Sequence, residues 1–467
     1  MPLALVYPAN TLSGGFEVAN SCRFNGDAYL HKQLGTATNN KKCTVSLWVK
    51  PQVSDTRNTF VSGGIDGDNY QKFRTANDGF SFYGNHSSSN NIHVECNRML
   101  RDPAAFYHVV MAFDSTQATS SNRIKLYVNG VQETSFNNAT YPAEDAICYF
   151  NAASTSDIFV GAFGRQDDTI GEQGEGYFSE VCVIDGLALT PTSFGEYSET
   201  TPGLWKPIDV SGLTFGNNGF YLDFEDSSNL GNDVNGGTDL TAVSLDATDQ
   251  STDSPTNNFC TLNPLFKSGA FASSTGAVAL SQGNCHLAEA THAVTCGTMA
   301  VTRGKYYWEI KLNGDDYAFG VLGTTPGGNA AHSYNDNTAY GIYVHHSGGN
   351  TITAGSWSGS SIYTGTAIYM IAIDVDNNKL WCGKDGSWTG DPAAGSGNSV
   401  TLGTHEYAPW VHSAGTAGTN TADVNFGGCP AFTISSGNAD ANGYGNFEYA
   451  VPNGFYALNT KNLAEYG

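Results

Sequence analysis

The sequence predicts an all-β protein of two β-sandwich (jelly-roll) domains joined by a polar connector. A strand that ends at a tight-turn dipeptide occurs in each half, once before Asn129-Gly130 and once before Asp385-Gly386. Asn-Gly and Asp-Gly supply the positive φ angles of two-residue hairpins. The 467 residues include 55 Gly, and the chain is 12% aromatic but only 14% charged, which is typical of turn-rich β-structure. No long stretch has the hydrophobic period of a helix.

The first domain is predicted to span residues 1–205. Short β-branched and aromatic runs alternate there with Gly-, Asn- and Asp-rich turns, a spacing that indicates a sandwich or jelly roll. Thr44–Val49 shows the in–out alternation of a half-buried strand. The predicted strands are 21–24, 44–49, 80–83, 107–113, 124–128, 158–161 and 177–184.

Residues 206–267 are predicted to form the connector, because their long Asp-, Asn-, Ser- and Thr-rich runs include only one or two strands, the clearest at 220–224. The second domain is predicted to span residues 268–467. Its predicted strands are 306–310, 317–322, 339–344, 367–375, 379–383, 408–412 and 421–426.

Charge and cysteine usage exclude several classes of function. The net charge of −23 argues against binding to nucleic acids or anionic membranes, which need a basic surface. No segment is apolar over the length that a membrane span needs, and the first residues lack the basic region of a signal peptide. The ten Cys include no Cys-x-x-Cys pair, and several lie in apolar runs where a free thiol acts as a small core residue.

Five motifs give the first domain a resemblance to laminin-G-like and pentraxin-like members of the concanavalin A-like group. This resemblance covers most of the first two hundred residues and implies a jelly roll whose relatives often bind calcium at the rim. One departure is Phe106-Tyr107, where the family usually has Trp. The motifs begin at Phe24-Asn-Gly-Asp, Thr44-Val-Ser-Leu-Trp, Phe106-Tyr-His-Val-Val, Leu126-Tyr-Val-Asn-Gly and Tyr177-Phe-Ser-Glu-Val.

The second domain resembles a SPRY domain, which is also a bent β-sandwich. The second strand of its hairpin ends in Cys-Gly-Lys-Asp-Gly where the family commonly has an aromatic residue and Asn-Gly. The matching motifs begin at Gly304-Lys-Tyr-Tyr-Trp, Ala318-Phe-Gly-Val, Asp374-Val-Asp-Asn-Asn, Tyr407-Ala-Pro-Trp and Val424-Asn-Phe-Gly.

The whole chain is similar to virion structural proteins of tailed, especially marine, bacteriophages. The diagnostic stretches begin at Asp223-Phe-Glu-Asp, Ala247-Thr-Asp-Gln and Gly454-Phe-Tyr-Ala. This resemblance implies a protein made in the host cytoplasm and displayed on the virion surface, with other virion proteins and a host glycan or receptor as partners. A tail fibre or receptor-binding protein, as a homo-oligomer with a trimer favoured, is the leading interpretation. Capsid decoration or a head fibre is an alternative, which the absence of heptads and fibrous repeats favours.

A binding surface is predicted from aromatic residues near Gly-, Ser- and Asn-rich turns of the second domain. A flat ring on a rigid scaffold can stack on a sugar or anchor a protein partner. Trp357 and Trp388 have the most loop-like surroundings, although they could instead fold back and cap the sandwich, whereas Trp48, Trp308 and Trp381 are expected in the core. The candidates are Tyr334, Trp357, Tyr363, Trp388 and Trp410.

No catalytic function and no certain cofactor are predicted. A glycan-degrading tail enzyme is the third alternative, since glycosidases use paired carboxylates. Glu180 and Asp185 have an odd spacing that favours opposite faces of a strand, and Asp374 and Asp376 lie at a hairpin mouth. Calcium is a possible ligand of two acidic loops, because it takes hard oxygen ligands on flexible loops. Its candidate residues are Asp66, Asp68, Asp167 and Asp168.

Overall fold

The computed structural model describes residues 15–467, with the exception of 53–56, 77–78, 88–89, 153–155, 168, 267, 270–278, 289–292, 325–337, 346–347, 361–364, 398 and 414–420. The described residues divide into two compact units, an N-terminal unit up to residue 256 and a C-terminal unit of residues 257–467. Both units are β-sandwiches, which confirms the predicted fold class. No helix among the described residues is both long and apolar enough to cross a membrane.

The N-terminal unit consists of strands and three single turns of 3-10 helix at Ser120–Asn122, Pro191–Ser193 and Ala247–Asp249. Its strands are β1 Ser21–Asn25, β2 Tyr29–Gln33, β3 Lys42–Pro51, β4 Arg57–Asp66, β5 Asn69–Ala76, β6 Gly79–His86, β7 Asn90–Met99, β8 Tyr107–Asp114, β9 Ile124–Val128, β10 Val131–Gln132, β11 Phe136–Thr140, β12 Asp157–Val160, β13 Phe163–Gly164, β14 Ile170–Gly171, β15 Glu175–Asp185, β16 Gly195–Tyr197, β17 Trp205–Pro207, β18 Phe220–Leu222, β19 Thr241–Val243 and β20 Gln250–Ser251.

Two eight-stranded antiparallel sheets form this sandwich. Sheet A has the order β10-β9-β8-β3-β15-β1-β20, with β18 paired to β15. Sheet B has the order β11-β7-β6-β5-β4-β12-β2-β19. Alternate residues of each strand point into the core between the sheets. Val45, Leu47 and Val49 of β3 lie there with Phe73 and Phe82 of sheet B, all fully buried.

The predicted hairpin of the first domain is present between β9 and β10. Asn129 has φ of 48° and Gly130 has φ of 79°, so both central residues adopt the left-handed conformation that a type I′ turn requires. At Gly130 a Cβ would come 2.5 Å from the Trp205 ring, so glycine is required there for space as well.

The outer face of sheet A is covered by the chain that follows it. Val110, Tyr127 and Cys182 of the sheet pack against Phe194 and Phe215 of the covering segment in a second buried cluster. Residues 189–215 therefore form a third layer of the N-terminal unit.

The end of the N-terminal unit lies further along the chain than the sequence predicts. Within the predicted connector, Phe220 and Leu222 of β18 lie in the core, and β19 and β20 extend sheets B and A. The polar composition of 225–256 misled the prediction because short strands at sheet edges need few apolar side chains. The connector residues up to 256 are thus part of the first sandwich.

The entry and exit of the N-terminal unit are adjacent in space. Ser21 of β1 pairs with Ser251 of β20. Just outside this pair, Val18 N donates to Thr256 Oγ1 at 3.0 Å, and Ser254 Oγ donates to Val18 O at 2.7 Å. A buried ion pair, Lys50 Nζ to Asp253 Oδ2 at 2.7 Å, fastens the last turn of the unit to β3.

The C-terminal unit has strands and one short helix, α1 Thr460–Tyr466. Its strands are β21 Ser268–Gly269, β22 Ala279–Ser281, β23 His286–Ala288, β24 Ala293–Cys296, β25 Lys305–Asn313, β26 Tyr317–Thr324, β27 Ala339–His345, β28 Gly348–Thr353, β29 Ser356–Ser360, β30 Ala367–Asp374, β31 Lys379–Lys384, β32 Ser387–Trp388, β33 Gly390–Asp391, β34 Ser396–Gly397, β35 Val400–Thr401, β36 Glu406–Ser413, β37 Thr421–Asn425 and β38 Tyr456–Ala457.

Sheet C of this unit has the order β21-β24-β36-β26-β27-β28-β29. Sheet D has the order β22-β23-β37-β25-β30-β31-β32, with β35 beside β31 and β38 parallel to β25. Trp308, Ile371 and Val424 lie in the core between them. The outer face of sheet D packs against Phe447 and Phe455 from the C-terminal segment, and this cluster includes Trp381. The core positions predicted for Trp48, Trp308 and Trp381 are confirmed, with exposures of 4%, 4% and 0%.

Candidate functional site

A row of side chains crosses the outer face of sheet B, one from each of its eight strands. Each neighbouring pair in the row is a cross-strand partner in the antiparallel register. Because side chains alternate between faces, this row points away from the core. Its members in spatial order are Thr241, His31, Phe159, Ser62, Lys72, Tyr83, His93 and Thr140.

Aromatic rings occupy both sides of this row. Tyr83 meets His93 edge-to-face at a centroid distance of 5.2 Å, and Tyr70 lies 6.4 Å from Tyr83 and 5.1 Å from Phe163. Tyr70, Tyr83, His93 and Phe163 are half-buried, so part of each ring faces solvent. On the other side, His31 stacks on Phe159 at 5.5 Å. We call these rings, with Tyr29 beside them, the outer aromatic face.

Basic side chains lie among the rings. Lys72 Nζ is 4.2 Å from the Phe163 centroid and 5.3 Å from the Tyr83 centroid, and Arg74 Cζ is 4.9 Å from the Tyr83 centroid. Cations at such distances are attracted to the electron-rich faces of aromatic rings. Lys72 and Arg74 therefore both contact the Tyr83 ring.

One carboxylate, Glu172, balances these cations. It accepts from Lys72 Nζ at 2.9 Å, from Arg74 Nη1 at 2.7 Å and from Arg57 Nη1 at 3.2 Å. Burial would raise the pKa of Glu172, but Lys72 and Arg74 outweigh it, so the pKa is lowered. Burial lowers the pKa of Lys72 to about 8 against the opposing effect of Glu172. At neutral pH the cluster thus holds three cations and one anion.

A loop between β12 and β15 forms a wall along the outer aromatic face. Ser62 Oγ donates to Ala162 O at 2.8 Å and accepts from Gly164 N at 2.9 Å. A Cβ on Gly164 would come 2.4 Å from the Phe159 ring, so only glycine permits the loop to lie so close to the sheet. Phe163 and Glu172 lie in this loop, and Tyr83 and His93 lie on sheet B beside it. The result is a shallow, ring-lined groove.

The two outer faces of this sandwich differ in their covering. Residues 189–215 cover sheet A, whereas the rings of Tyr70, Tyr83 and His93 on sheet B remain partly exposed. Partly exposed aromatic rings on a rigid sheet are the type of surface that binds a flat, partly apolar ligand.

The predicted aromatic residues of the C-terminal unit do not form one exposed site among the described residues. Trp410 is 1% exposed in the cluster on sheet C, which contradicts its predicted place on a binding surface, because β36 is a central strand. Trp388 is half-buried and lies 6.2 Å from Tyr307, so it caps the outer layer of sheet D. Trp357 lies in β29 opposite Ile352, with its side chain outside the description. Tyr334 and Tyr363 lie outside the described residues.

The predicted calcium residues lie beside an arginine. Asp66 Oδ1 accepts from Asp68 N and Asn69 Nδ2, both at 2.9 Å, and these bonds lower the pKa of Asp66. Arg165 Nε lies 3.3 Å from Asp167 Oδ1, and its Nη1 reaches the turn at Gly67. Asp66 and Asp167 thus have protein partners, and calcium at these residues stays a prediction. Asp168 lies outside the described residues.

No three His, Cys, Asp or Glu side chains in the described part of the chain gather as a metal ion would require. The candidate catalytic carboxylates are also separately engaged. Asp185 accepts backbone N–H bonds from Thr38 at 2.7 Å and Asn218 at 3.1 Å, whereas Glu180 accepts from Tyr221 Oη at 2.7 Å. Asp374 accepts from Asn377 N at 3.0 Å in the hairpin turn.

Sequence reasoning missed the outer aromatic face, although a signal for it exists. In Tyr70-Gln-Lys72-Phe-Arg74 every second residue is aromatic or basic, and Tyr83 follows on the next strand. Such alternation places these residues together on one face of a sheet. The signal was hidden because the residues that face the core include the polar Gln71.

Residues 24–168 match the family model described as the Concanavalin A-like lectin/glucanases superfamily, Laminin_G_3. This stretch includes the described strands β2–β13 and every ring of the outer aromatic face, whereas Glu172 and β19 lie outside it. No curated protein sequence matches the chain.

The chain is similar in fold to several solved structures. A heptameric SAP-like pentraxin from Limulus polyphemus has 18% identity over 38% of this chain and 80% of its own, with a TM-score of 0.29. The SPRY domain of human HERC1 has 13% identity over 37% of this chain and 99% of its own, with a TM-score of 0.27. Domains LG4-5 of the mouse laminin alpha1 chain have 9% identity over 91% of this chain and 93% of their own, with a TM-score of 0.31.

Proposed function

We propose that this protein is a non-catalytic glycan-binding protein displayed on the surface of a tailed bacteriophage, where it serves as a tail fibre or receptor-binding protein. The lectin-type family match supports the binding role. The phage assignment is supported by the resemblance of the stretches that begin at Asp223, Ala247 and Gly454. Glycans of the host envelope are the ligands that such a protein would meet first.

The observation that carries the binding role is the group of half-exposed rings of Tyr70, Tyr83 and His93 on sheet B. A sugar has a face of C–H groups that can lie flat on an aromatic ring, and such a contact removes apolar surface of both partners from water. The sheet fixes the rings before the ligand arrives, so little conformational entropy is lost on binding.

The charges beside the rings favour an acidic glycan. Lys72, Arg74 and Arg57 face a single carboxylate, Glu172, and the Arg57 side chain is 62% exposed. A guanidinium can bind a carboxylate or sulfate group through two hydrogen bonds. Lys72 and Arg74 are only 4% and 5% exposed, so Arg57 is the cation of this cluster that a ligand would reach.

The absence of catalysis in this proposal rests on the positions of the carboxylates. A glycosidase places two carboxyl groups on either side of the bond that it cleaves. On the outer aromatic face, Glu172 is tied to three cations and Glu95 to His93, whose Nε2 is 2.9 Å from Glu95 Oε2. Neither is placed as a free acid or base.

Affinity electrophoresis in gels that contain alginate, an acidic polysaccharide, or dextran, a neutral one, tests the glycan site. We expect alginate to retard the protein more than dextran. Tyr83→Ala should weaken alginate binding about tenfold, which corresponds to roughly 1.4 kcal/mol, while Tyr83→Phe keeps the ring and the affinity. The matched control is Tyr197→Ala, because Tyr197 is 49% exposed and lies in the layer over sheet A. Equal retardation of Tyr83→Ala and the unchanged protein would refute this site.

Capsid decoration is a second candidate, favoured by the lack of heptads and fibrous repeats in the sequence. Gold labelling of the protein on intact particles distinguishes the two positions. Label over the head would refute the tail-fibre assignment, and label only at the tail would refute decoration.

A further inference from the structure

A separate cavity of about 300 Å³ lies at the edge of the N-terminal sandwich. His86 and Ile92 are on the core-facing side of β6 and β7, opposite to the rings of the outer aromatic face, whereas Thr140 belongs to the row on the outer face. Its described lining is His86, Asn91, Ile92, Thr140, Tyr141, Pro142, Ala143 and Ala146. This volume is at the small end of the range for ligand sites in proteins.

A chain of hydrogen bonds fixes the protonation pattern of His86. Asn69 Nδ2 donates to Asp66 Oδ1 at 2.9 Å, so the Oδ1 atom of Asn69 is turned toward Tyr149. Tyr149 Oη donates to that Oδ1 at 2.9 Å, and His86 Nδ1 lies 2.9 Å from Tyr149 Oη. Because the tyrosine proton is already used, the hydroxyl oxygen must accept from the histidine, and the neutral imidazole has its proton on Nδ1.

The donors and acceptors of this hydrogen-bond chain keep their roles at neutral pH. The hydrogen bonds that Asp66 accepts from the Asp68 backbone and from Asn69 lower its pKa, so it stays an acceptor. Burial raises the pKa of Tyr149 to about 12, so its hydroxyl keeps the proton that it donates. His86 Nε2 is then left as a hydrogen-bond acceptor on the ring edge away from Tyr149.

The cavity wall combines this acceptor with an apolar side. His86 lines the cavity, and Tyr149, which is hydrogen-bonded to its Nδ1, is not among the described lining residues. Ile92, Pro142 and the half-buried Tyr141 add apolar side chains, and Thr140 and Asn91 also line the cavity. No Lys, Arg, Asp or Glu side chain is among the described lining residues.

We propose that this cavity binds a single neutral sugar residue, whose hydroxyl donates to His86 Nε2 while its C–H face packs on Tyr141. A cavity without charged walls disfavours an anionic ligand, whose desolvation would go uncompensated. A hydroxyl donor satisfies the histidine acceptor, and the volume admits one ring. This site goes beyond the proposed acidic-glycan site and does not depend on it.

Saturation-transfer NMR of the full chain with methyl glycosides of glucose, galactose, mannose and N-acetylglucosamine tests the proposal. At least one neutral glycoside should receive saturation. His86→Phe keeps the volume and removes the acceptor, so it should reduce this signal at least tenfold and leave unchanged any transfer to glucuronate, which the outer aromatic face would bind. Tyr197→Ala, in the layer over sheet A, is the matched control and should leave the neutral-glycoside signal unchanged.

Histidine ¹⁵N shifts of the unchanged protein give a second readout that needs no variant. We expect His86 to show the Nδ1–H tautomer. The proposal is overturned if no neutral glycoside binds, if His86→Phe lowers the glucuronate signal as much as the neutral-glycoside signal, or if His86 shows the Nε2–H tautomer. Loss of glycoside binding in Tyr83→Ala but not in His86→Phe would also overturn it, and would instead support the outer aromatic face as the neutral-sugar site.

Discussion

Glu180 is an ionisable residue in an unusual backbone position. It has φ of 52° at a β-bulge of β15, where the pairing with β3 shifts between Ser179 and Cys182. Its side chain is buried beneath the layer that covers sheet A, and burial raises its pKa to about 8. The bulge turns this carboxyl toward Tyr221 and away from the outer aromatic face. The odd spacing from Asp185 alone could not reveal this, because a bulge breaks the alternation on which the spacing argument depends.

The stability of the N-terminal unit should fall as pH rises from about 4.5 to about 8 because of Glu180. In that window Glu180 is ionised in the unfolded chain but protonated in the folded state, so folding takes up a proton. The free energy of unfolding therefore falls by roughly 1.4 kcal/mol for each pH unit. Below pH 4.5 the stabilisation that comes from protonated Glu180 is fully present, and above pH 8 it is lost. Glu180→Gln, which retains an acceptor for Tyr221, should equal the unchanged protein at pH 4.5 and exceed it by about 3 kcal/mol at pH 7.5.

Urea unfolding at a series of pH values measures this difference. Glu199→Gln is the control, since Glu199 is exposed on the same unit and is not among the groups that shift the pKa of Glu180. A difference between Glu180→Gln and the unchanged protein that stays constant from pH 4.5 to pH 8 would contradict the assignment.

At the scale of elements, strands with a regular apolar pattern were predictable, and β6 and β12 of the candidate site were predicted in part, whereas β4 and β5 were not. Ile124–Val128 was predicted with the observed bounds, and 107–113 within one residue, because aliphatic and aromatic side chains face the core there. β5 and β4 were missed. In β5 the apolar and basic residues divide between the two faces, and in β4 Gly63 and Gly64 interrupt the pattern. The residues that suit a binding surface are those that obscure the strand signal.

The boundary of the first sandwich gives a prediction for fragments. A fragment that ends at residue 205 lacks β18, so Phe220 and Leu222 leave the core, and it lacks Asp253, so the ammonium of Lys50 stays buried without its carboxylate. Removing one partner of a buried ion pair typically costs about 3–5 kcal/mol. We expect residues 15–256 to fold and residues 15–205 to remain unfolded.

Thermal unfolding of both fragments is monitored by near-UV circular dichroism. Lys50→Met within 15–205 removes the buried charge, so it separates the effect of that charge from the effect of the missing strand. Cooperative unfolding of the 15–205 fragment at the temperature of the longer one would show that 206–256 is only a connector.

For the whole molecule, the thiols provide a test of both cores together. All ten Cys are free and buried in the structure. Burial raises the pKa of thiols such as Cys96 and Cys382, each to about 12, which keeps the reactive thiolate scarce. Ellman's reagent should therefore label no cysteine of the native protein within minutes and all ten after unfolding in guanidinium chloride. Ser120→Cys places a thiol at an exposed position and serves as the positive control.

Fewer than ten thiols after unfolding without reductant would reveal disulfides, and rapid labelling of the native protein would contradict the burial. The sequence alone permitted either outcome, since an even number of cysteines is compatible with full pairing or with none. In the structure all ten are free, and several lie singly among aliphatic side chains of the core, as Cys22 does, whereas the side chains of Cys43 and Cys148 are hydrogen-bonded neighbours.

Because Val18 and Thr256 are adjacent, the N-terminal unit begins and ends at one point. A segment whose two ends meet at one point can be spliced into a surface loop of an unrelated protein without forcing the host loop apart. Two cuts in the gene, one on each side of the β1–β20 pair, would move the complete ring-lined sheet and its covering layer together. Recombination between genomes would thus transfer the outer aromatic face as one piece and leave the rest of the recipient protein intact.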